Sequence, residues 1–385
     1  MDRITVFQTT GRIVMGAGAL NGLPQEIKRL GGSKAFIITD PGLVQAGIVD
    51  RVETILREAG IASGRFDKVE PDPRIEIVFD ALAHVRAAEA DIVLGIGGGS
   101  SLDIAKVTAV MAANEGPIGS YFGIDLVPRP GLKKILIPTT AGTGSEVTPI
   151  AILSDDAEKL KKGIVSPHLL PETALLDPEL TLGLPAKVTA ATGMDALIHA
   201  IEAYTSKNAT SLTDVLAVQA MDLIYNNIRT ACANGKNIEA RSRMLEGSLL
   251  AGQAFANAGV TAVHAFAYPI GAEFHIPHGI ANTIMLIPVM EFNLMGNCSR
   301  FADIAGIFGE DTEGMPERRA AALAVCAVKE LAEDLGVPRR LSEFGVMEED
   351  VPGLAEGAMK VTRLLTNNPR DLTLEDAKNI YRSVL

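Results

Sequence analysis

Asp91-Ile92-Val93-Leu94-Gly95-Ile96-Gly97-Gly98-Gly99-Ser100-Ser101-Leu102-Asp103 is the stretch that decides how this chain folds. Its first part, Asp91–Ile96, is a short apolar run that reads as a buried strand. Three glycines and two serines follow, and Leu102–Ala113 then reads as a helix. Glycines let a backbone approach a phosphate with no Cβ in the way. The helix start presents unpaired N–H groups and the positive end of its dipole. Ser100 and Ser101 add hydroxyl donors. A pyrophosphate fits such a turn, although any parallel sheet holds tight strand-to-helix turns of this kind. The spacing also departs from GxGxxG: Gly95 and Gly97 match, Ser100 stands where the third glycine belongs, and the loop follows a later strand rather than the first.

Outward from this unit the same pattern recurs. Lys34–Thr39 is an apolar run that stops at Asp40-Pro41-Gly42, and Val44–Glu58 carries apolar residues at helical spacing. Lys134–Pro138 is a third strand, followed by Thr139-Thr140-Ala141-Gly142-Thr143-Gly144-Ser145, a loop of hydroxyls and glycines. Two such loops at strand ends of one sheet are what a dinucleotide needs. A carboxylate at Asp40 would accept from a ribose 2′-OH and repel a 2′-phosphate, favouring NAD over NADP; a turn Asp before Pro-Gly is the plainer alternative. Ile4–Phe7 and Arg12–Met15 read as short strands, in a hairpin or at an edge. Strands alternating with helices predict a mostly parallel sheet covered on both faces.

Beyond about Pro185 strand-like runs nearly vanish. Thr189–Thr205, Leu212–Ile228, Asn237–Asn257, Val260–Phe274, Met315–Leu335 and Leu374–Val384 read as helices. The expected plan is an α/β dinucleotide-binding domain over 1–185 and an all-helical domain over 186–385, with a ligand cleft between them.

Composition bounds the function. The 385 residues include 35 Lys and Arg against 47 Asp and Glu, a net charge of −12, which disfavours nucleic acid. No apolar run is long enough to predict a membrane span. The start, Met1-Asp2-Arg3-Ile4, lacks a signal-peptide pattern. The three cysteines, Cys232, Cys298 and Cys326, form no CxxC and suggest free, buried thiols in a reducing, cytoplasmic setting. Of six histidines, three fall between His264 and His278. His264 lies in an apolar helix and His278 in a turn-like segment, Ile276-Pro277-His278-Gly279. Asp195 and His199 are four apart on one helix face. Three imidazoles and a carboxylate suit a divalent transition metal and leave it Lewis-acidic. The bland alternatives are a satisfied core histidine and a local Asp–His hydrogen bond. Against them stands the cost of leaving such polar groups unpaired among apolar residues.

Taken together and in order, four motifs resemble those of the iron-dependent (group III) alcohol dehydrogenases. They are Gly97-Gly98-Gly99-Ser100-Ser101-Leu102-Asp103-Ile104-Ala105-Lys106, Pro138-Thr139-Thr140-Ala141-Gly142-Thr143-Gly144-Ser145-Glu146, Ala191–Glu202 around Gly193-Met194-Asp195-Ala196-Leu197-Ile198-His199, and Ile276-Pro277-His278-Gly279. The resemblance spans essentially the whole chain. It implies NAD(P) between the domains, with Gly97, Gly98, Gly99, Ser100, Ser101 and Asp103 around the pyrophosphate. It implies further cofactor contacts at Thr139, Thr140, Thr143, Thr148 and Lys161, with Asp40 at the position that favours NAD. Asp195, His199, His264 and His278 match the iron ligands. Asp72 replaces a common Asn near the cofactor ribose. Tyr268 stands where many relatives carry a second His thought to relay protons, and His275 where they often have Asn. These departures put the usual proton path in question, and Tyr268 and His275 become the candidates for it. Ile150, Phe255 and Tyr268 are candidates for the substrate wall.

The activity expected is reversible, NAD-dependent oxidation of a small primary alcohol to its aldehyde, with a divalent cation, Fe²⁺ or else Zn²⁺ or another divalent metal, lowering the alcohol's pKa. A homo-oligomer is expected from the resemblance. Two rivals stay open: a metal- and NAD-dependent lyase or cyclase of the dehydroquinate synthase type, and a non-catalytic metal- or nucleotide-binding protein. The first needs cationic residues for a polyanionic substrate, and Thr192–Tyr204 and Val260–Ile280 contain no Lys or Arg.

Overall fold

The computed structural model describes residues 4–155 and 160–385. They form two compact units: Gln8–Leu184 together with Lys236–Leu245, and Pro185–Gly235 with Glu246–Leu385 and the described residues up to Phe7. The sequence reading runs the helical domain unbroken from 186. Instead, the first residues of the helix Ile238–Ala258 group with the α/β unit, where the buried Arg241 donates to the Leu184 carbonyl (3.1 Å).

The α/β unit is built on strands β1 (Ile13–Met15), β2 (Lys34–Ile38), β3 (Ala62–Phe66), β4 (Ile92–Gly97), β5 (Gly123–Ile124), β6 (Lys133–Pro138), β7 (Ile150–Asp155), β8 (Leu160–Val165) and β9 (Thr173–Leu176). Six of them form a wholly parallel sheet in the order β1-β9-β6-β4-β2-β3. Alternation of side chains is visible in its two cores. Phe36, Ile38, Val93 and Leu136 point to one face, and Ile37, Ile92, Leu94, Ile96, Ile135 and Ile137 to the other. Burial on both faces is why these strands read as continuous apolar runs. β3, at the sheet edge, is mostly exposed and polar in sequence, and so gives no such signal.

From β2 the chain steps outward to β3, then returns to lay β4 on the other side of β2. The ends of β2 and β4 therefore flank a topological switch point, the place where open α/β sheets hold ligands. A second sheet, β5-β8-β7, pairs β7 antiparallel with β8 and β5 parallel with β8.

Two expectations need correction. Ile4–Phe7 joins neither sheet; of the two readings of Arg12–Met15 the edge strand holds, since β1 lies at the end of the sheet paired in parallel with β9, and there is no hairpin. Apolar alternation does not make a strand without a neighbour to satisfy its backbone. The three cysteines are free, as expected, but none is fully buried and Cys326 is exposed.

The helical unit contains the helices Ala186–Thr205, Ser211–Ala233, most of Ile238–Ala258, Ala262–Phe274, His278–Leu294, Cys298–Ile307, Glu317–Asp334 and Leu374–Arg382, with shorter ones between. His278 thus begins a 17-residue helix where the sequence suggested only a turn. No described helix is long and apolar enough to cross a membrane.

Candidate cofactor cradle and metal centre

The glycine loops are packed into one surface. The helix after β4, Gly99–Met111, has Gly98 at its N-cap and no side-chain cap, so its first amides keep no internal acceptor. Gly97 has φ +150°, a conformation other residues rarely adopt, and a Cβ there would lie 2.6 Å from Ser101. A Cβ on Gly99 would lie 2.7 Å from Thr143 Cγ2, so the second loop presses directly on the first. Thr140 Oγ1 would lie 3.5 Å from a Cβ on Gly98. Thr139, buried, donates its amide to the Gly97 carbonyl (3.0 Å).

Asp40 caps the short helix after β2, accepting from the Leu43 amide (3.2 Å), and its other oxygen accepts from Ser101 Oγ (3.3 Å). It thereby links the ends of β2 and β4 across the switch point. Lys161 and Asp72 are also brought together: Lys161 Nζ lies 2.6 Å from Asp72 Oδ1, and Asp72 holds a left-handed φ of +49°.

Asp103 is turned to the protein rather than left open. Ser145 Oγ donates to its Oδ1 (2.6 Å) and the Ile152 amide to its Oδ2 (2.9 Å). Lys106, one turn on and fully buried, reaches Asp103 Oδ1 (3.2 Å), the Ile150 carbonyl (2.5 Å), and both the carbonyl and Oγ1 of Thr148 (3.3 Å each). Burial pulls the Lys106 ammonium below the usual lysine range, with Asp103 opposing. Glu146, buried nearby, has its carboxyl pushed up to about 7 by burial, and its Oε1 has no hydrogen-bond partner. Asp103, Thr148 and Ile150 therefore form the cradle's support. Ser100, at the helix start, is partly exposed.

The helical unit gathers the four metal-ligand candidates. Asp195 and His199 lie on the helix Ala186–Thr205, His264 near the start of Ala262–Phe274, and His278 at the start of His278–Leu294. Gly279 lets that start approach closely, since a Cβ there would lie 2.3 Å from the Ala191 carbonyl oxygen. His264 Nε2 lies 3.0 Å from His199 Nε2 and 3.9 Å from Asp195 Oδ1; His278 Nε2 lies 3.8 Å from the same oxygen. Asp195, His199 and His264 are buried, and their ligand atoms all fall within 4.8 Å of one another. Burial would raise the Asp195 carboxyl pKa, but His199, His278, His264 and Asn282 outweigh it and hold it below the ordinary value.

Two residues around this cluster carried no sequence assignment. Glu202 follows Asp195 and His199 at seven and three residues, on the same helix face, and its Oε2 meets His264 Nδ1. Asn282, one turn beyond His278, points Nδ2 at Asp195 Oδ1 (2.7 Å), His264 Nε2 (3.1 Å) and His278 Nε2 (3.1 Å), while its buried Oδ1 has no partner. With the His264 Nδ1 proton given to Glu202, its Nε2 lone pair faces a second imidazole nitrogen and a carboxylate. Two amide hydrogens cannot serve all these acceptors. A divalent cation can, so the donor set fits one.

Phe255 stacks on His199, with centroids 4.3 Å apart, and belongs to this cluster. Tyr268 lies one turn beyond His264, its ring centroid 6.1 Å from that of His278. His275 is exposed, left-handed (φ +54°) and caps the end of its helix. Ile150 lies on β7 in the α/β unit.

Residues 10–178 match the family model described as iron-containing alcohol dehydrogenase, and residues 189–385 match that of the Fe-containing alcohol dehydrogenase family, C-terminal. A sulfoacetaldehyde reductase of Bilophila wadsworthia is 44% identical over 95% of each chain. An NAD-dependent methanol dehydrogenase of Bacillus methanolicus is 40% identical over 97% of each. Among solved structures, a 1,3-propanediol oxidoreductase superposes with TM-score 0.97 at 41% identity, covering all of both chains.

Proposed function

The chain belongs to the iron-containing alcohol dehydrogenase family, and from that premise we propose that it is an NAD-dependent enzyme interconverting small primary alcohols and their aldehydes at a divalent metal. The observation that carries this reading is the buried cluster of Asp195, His199 and His264, whose ligand atoms lie within 4.8 Å of one another, with the partly exposed His278 bringing its Nε2 to 3.8 Å from Asp195 Oδ1. The names of relatives, which include methanol, 1,3-propanediol and sulfoacetaldehyde, support a substrate with a primary carbinol or aldehyde carbon; another relative, 43% identical, is named for long-chain alcohols, so the names do not fix chain length.

Asp195, His199, His264 and His278 would hold the cation. When bound, it would supply Lewis acidity that lowers the pKa of an alcohol hydroxyl, and the nicotinamide would supply the hydride acceptor. The chain's own part is to bind and orient. The amides at the start of Gly99–Met111, with Ser100, Ser101, Thr139, Thr140 and Thr143, would hold the pyrophosphate and its neighbours. Asp40 would accept from the ribose 2′-OH, which favours NAD. Asp72 and Lys161 would meet the cofactor as a pair, with Asp72 orienting the Lys161 ammonium. Asp103 and Thr148 would act beneath them by fixing the two loops. Ile150, Phe255 and Tyr268 would wall the substrate space, and Tyr268 would donate or accept the substrate's proton. His275 would add a solvent-exposed proton acceptor. The metal would be Fe²⁺, with Zn²⁺ or another divalent cation as the alternative: this N₃O set prefers Zn²⁺ on intrinsic affinity, so occupancy follows supply. Three free cysteines support a reducing, cytoplasmic setting. The open edge of β1 supports a homo-oligomer, checked by sedimentation.

The test is an anaerobic screen at 340 nm of short alcohols and aldehydes with NAD(H) and NADP(H), in Fe²⁺ and in Zn²⁺. Turnover with a primary alcohol and NAD⁺ is expected. No turnover with any alcohol or aldehyde contradicts the reading.

A further inference from the structure

Glu202 is not among the four groups that face the metal position, yet both its oxygens are committed. It is buried on the helix that carries Asp195 and His199. Oε1 accepts from the Thr261 amide (3.0 Å), the Thr261 hydroxyl (2.7 Å) and the Val263 amide (2.8 Å). Oε2 meets His264 Nδ1. A carboxylate held this way has one use for Oε2, which is to accept the Nδ1 proton of the neutral imidazole. The Nε2 lone pair then faces His199 Nε2 and Asp195 Oδ1, the direction a cation requires.

We infer that Glu202 is a positioning residue for the metal: it selects the His264 tautomer able to ligate, and with Asp195 it brings two negative charges to balance a divalent cation. This rests on the metal reading above. Glutamine is the discriminating substitute. Its Oε1 can keep all three donors, which turns its amide NH₂ toward His264 Nδ1. The imidazole must then accept at Nδ1 and carry its proton on Nε2, aimed at the cation. Shape and packing persist, while the tautomer inverts and one charge is lost.

The experiment uses the full chain, stripped with a chelator. Zn²⁺ affinity is read by competition with a chromophoric chelator, and site geometry by Co²⁺ visible absorption. Wild type is expected to bind one ion per chain. Glu202→Gln should weaken Zn²⁺ binding by about 10–100-fold, alter the Co²⁺ spectrum, and leave far-ultraviolet circular dichroism unchanged. Thr261→Val, which removes one Oε1 donor, should lower the melting temperature and retain the wild-type Co²⁺ spectrum. A wild type that binds one ion, with Glu202→Gln matching it, overturns the role of Glu202 alone. A wild type that binds no divalent ion overturns the metal reading and this inference together. Should Glu202→Gln fail to fold, long-range ¹H–¹⁵N spectra of Zn²⁺-loaded, ¹⁵N-histidine-labelled wild type decide: a proton on His264 Nδ1 is expected, and a proton on Nε2 overturns the inference.

Discussion

The glycine cradle and the metal cluster solve opposite problems. The cradle is made mostly of what is missing. Gly97 and Gly99 clear space at Ser101 and Thr143, and the helix start leaves amides uncapped, so a ligand meets backbone. Of its charged residues, Asp103 and Lys106 lie underneath and hold loops, with Glu146 buried near them. The metal cluster is made of polar side chains turned inward, each with a partner. Burial acts on carboxylates in both regions with different results. Glu146, poorly partnered, is pushed up to about 7; Asp195 and Glu202 are held below their ordinary values despite burial, because histidines and hydrogen-bond donors surround them. A buried carboxylate is kept ionised by its neighbours, and where those are few it takes up a proton.

The comparison breaks most visibly at His264. His264→Ala removes a proposed ligand and strands the buried Glu202 carboxylate. Because a cation's Lewis acidity is worth several kcal/mol, kcat/KM should fall by about a thousandfold or more, with metal content by elemental analysis falling too. Full retention of metal would contradict the ligand set.

Glu146 gives the next largest effect, on stability. Its folded pKa of about 7 lies above the ordinary 4.5, so the fold favours the protonated form. That contribution is present at low pH and is lost as pH rises from about 5 through 7. Glu146→Gln should therefore remove a fall of about 2–3 kcal/mol between pH 5 and 7.5, read as the difference between wild-type and variant urea midpoints at the two pH values. Parallel pH profiles would show that the carboxyl titrates normally.

Within the cradle, Gly99→Val places methyl groups against Thr143. Overpacking of about 1–3 kcal/mol should weaken NAD⁺ binding by about 10–100-fold in calorimetry while metal content stays at wild type. Loss of both would mean the two regions are not separable. The smallest effect is on selectivity. Asp40→Gly removes the carboxylate linking β2 to β4, and the preference for NAD⁺ over NADP⁺ in kcat/KM should shrink by roughly tenfold, about 1.4 kcal/mol. An unchanged ratio would leave Asp40 as a helix cap only.

How much of this the sequence discloses follows from the same contrast. Strands buried on both faces announce themselves as apolar runs, so β2, β4 and β6 were visible; the polar edge strand β3 and the small second sheet were not. Ile4–Phe7 has the pattern of a strand but no partner in either sheet. Three of the four candidate ligands stand out because imidazoles are scarce in this chain, and Asp195 stands out only through its place four residues before His199. Glu202, Asn282 and Lys106 do not, because Glu, Asn and Lys on helices are ordinarily solvated. Only the fold shows them buried and aimed. A helical-period reading offers a partial signal, since Glu202 continues the Asp195–His199 face and Asn282 follows His278 by one turn.

The most direct measurement is metal removal and return on the wild-type chain. Protein stripped with a chelator should show no NAD⁺ reduction at 340 nm with a primary alcohol that the untreated chain oxidises. One equivalent of Fe²⁺ or Zn²⁺ per chain should restore it, saturating at a single ion. Undiminished reduction of NAD⁺ by the fully stripped protein would contradict the account.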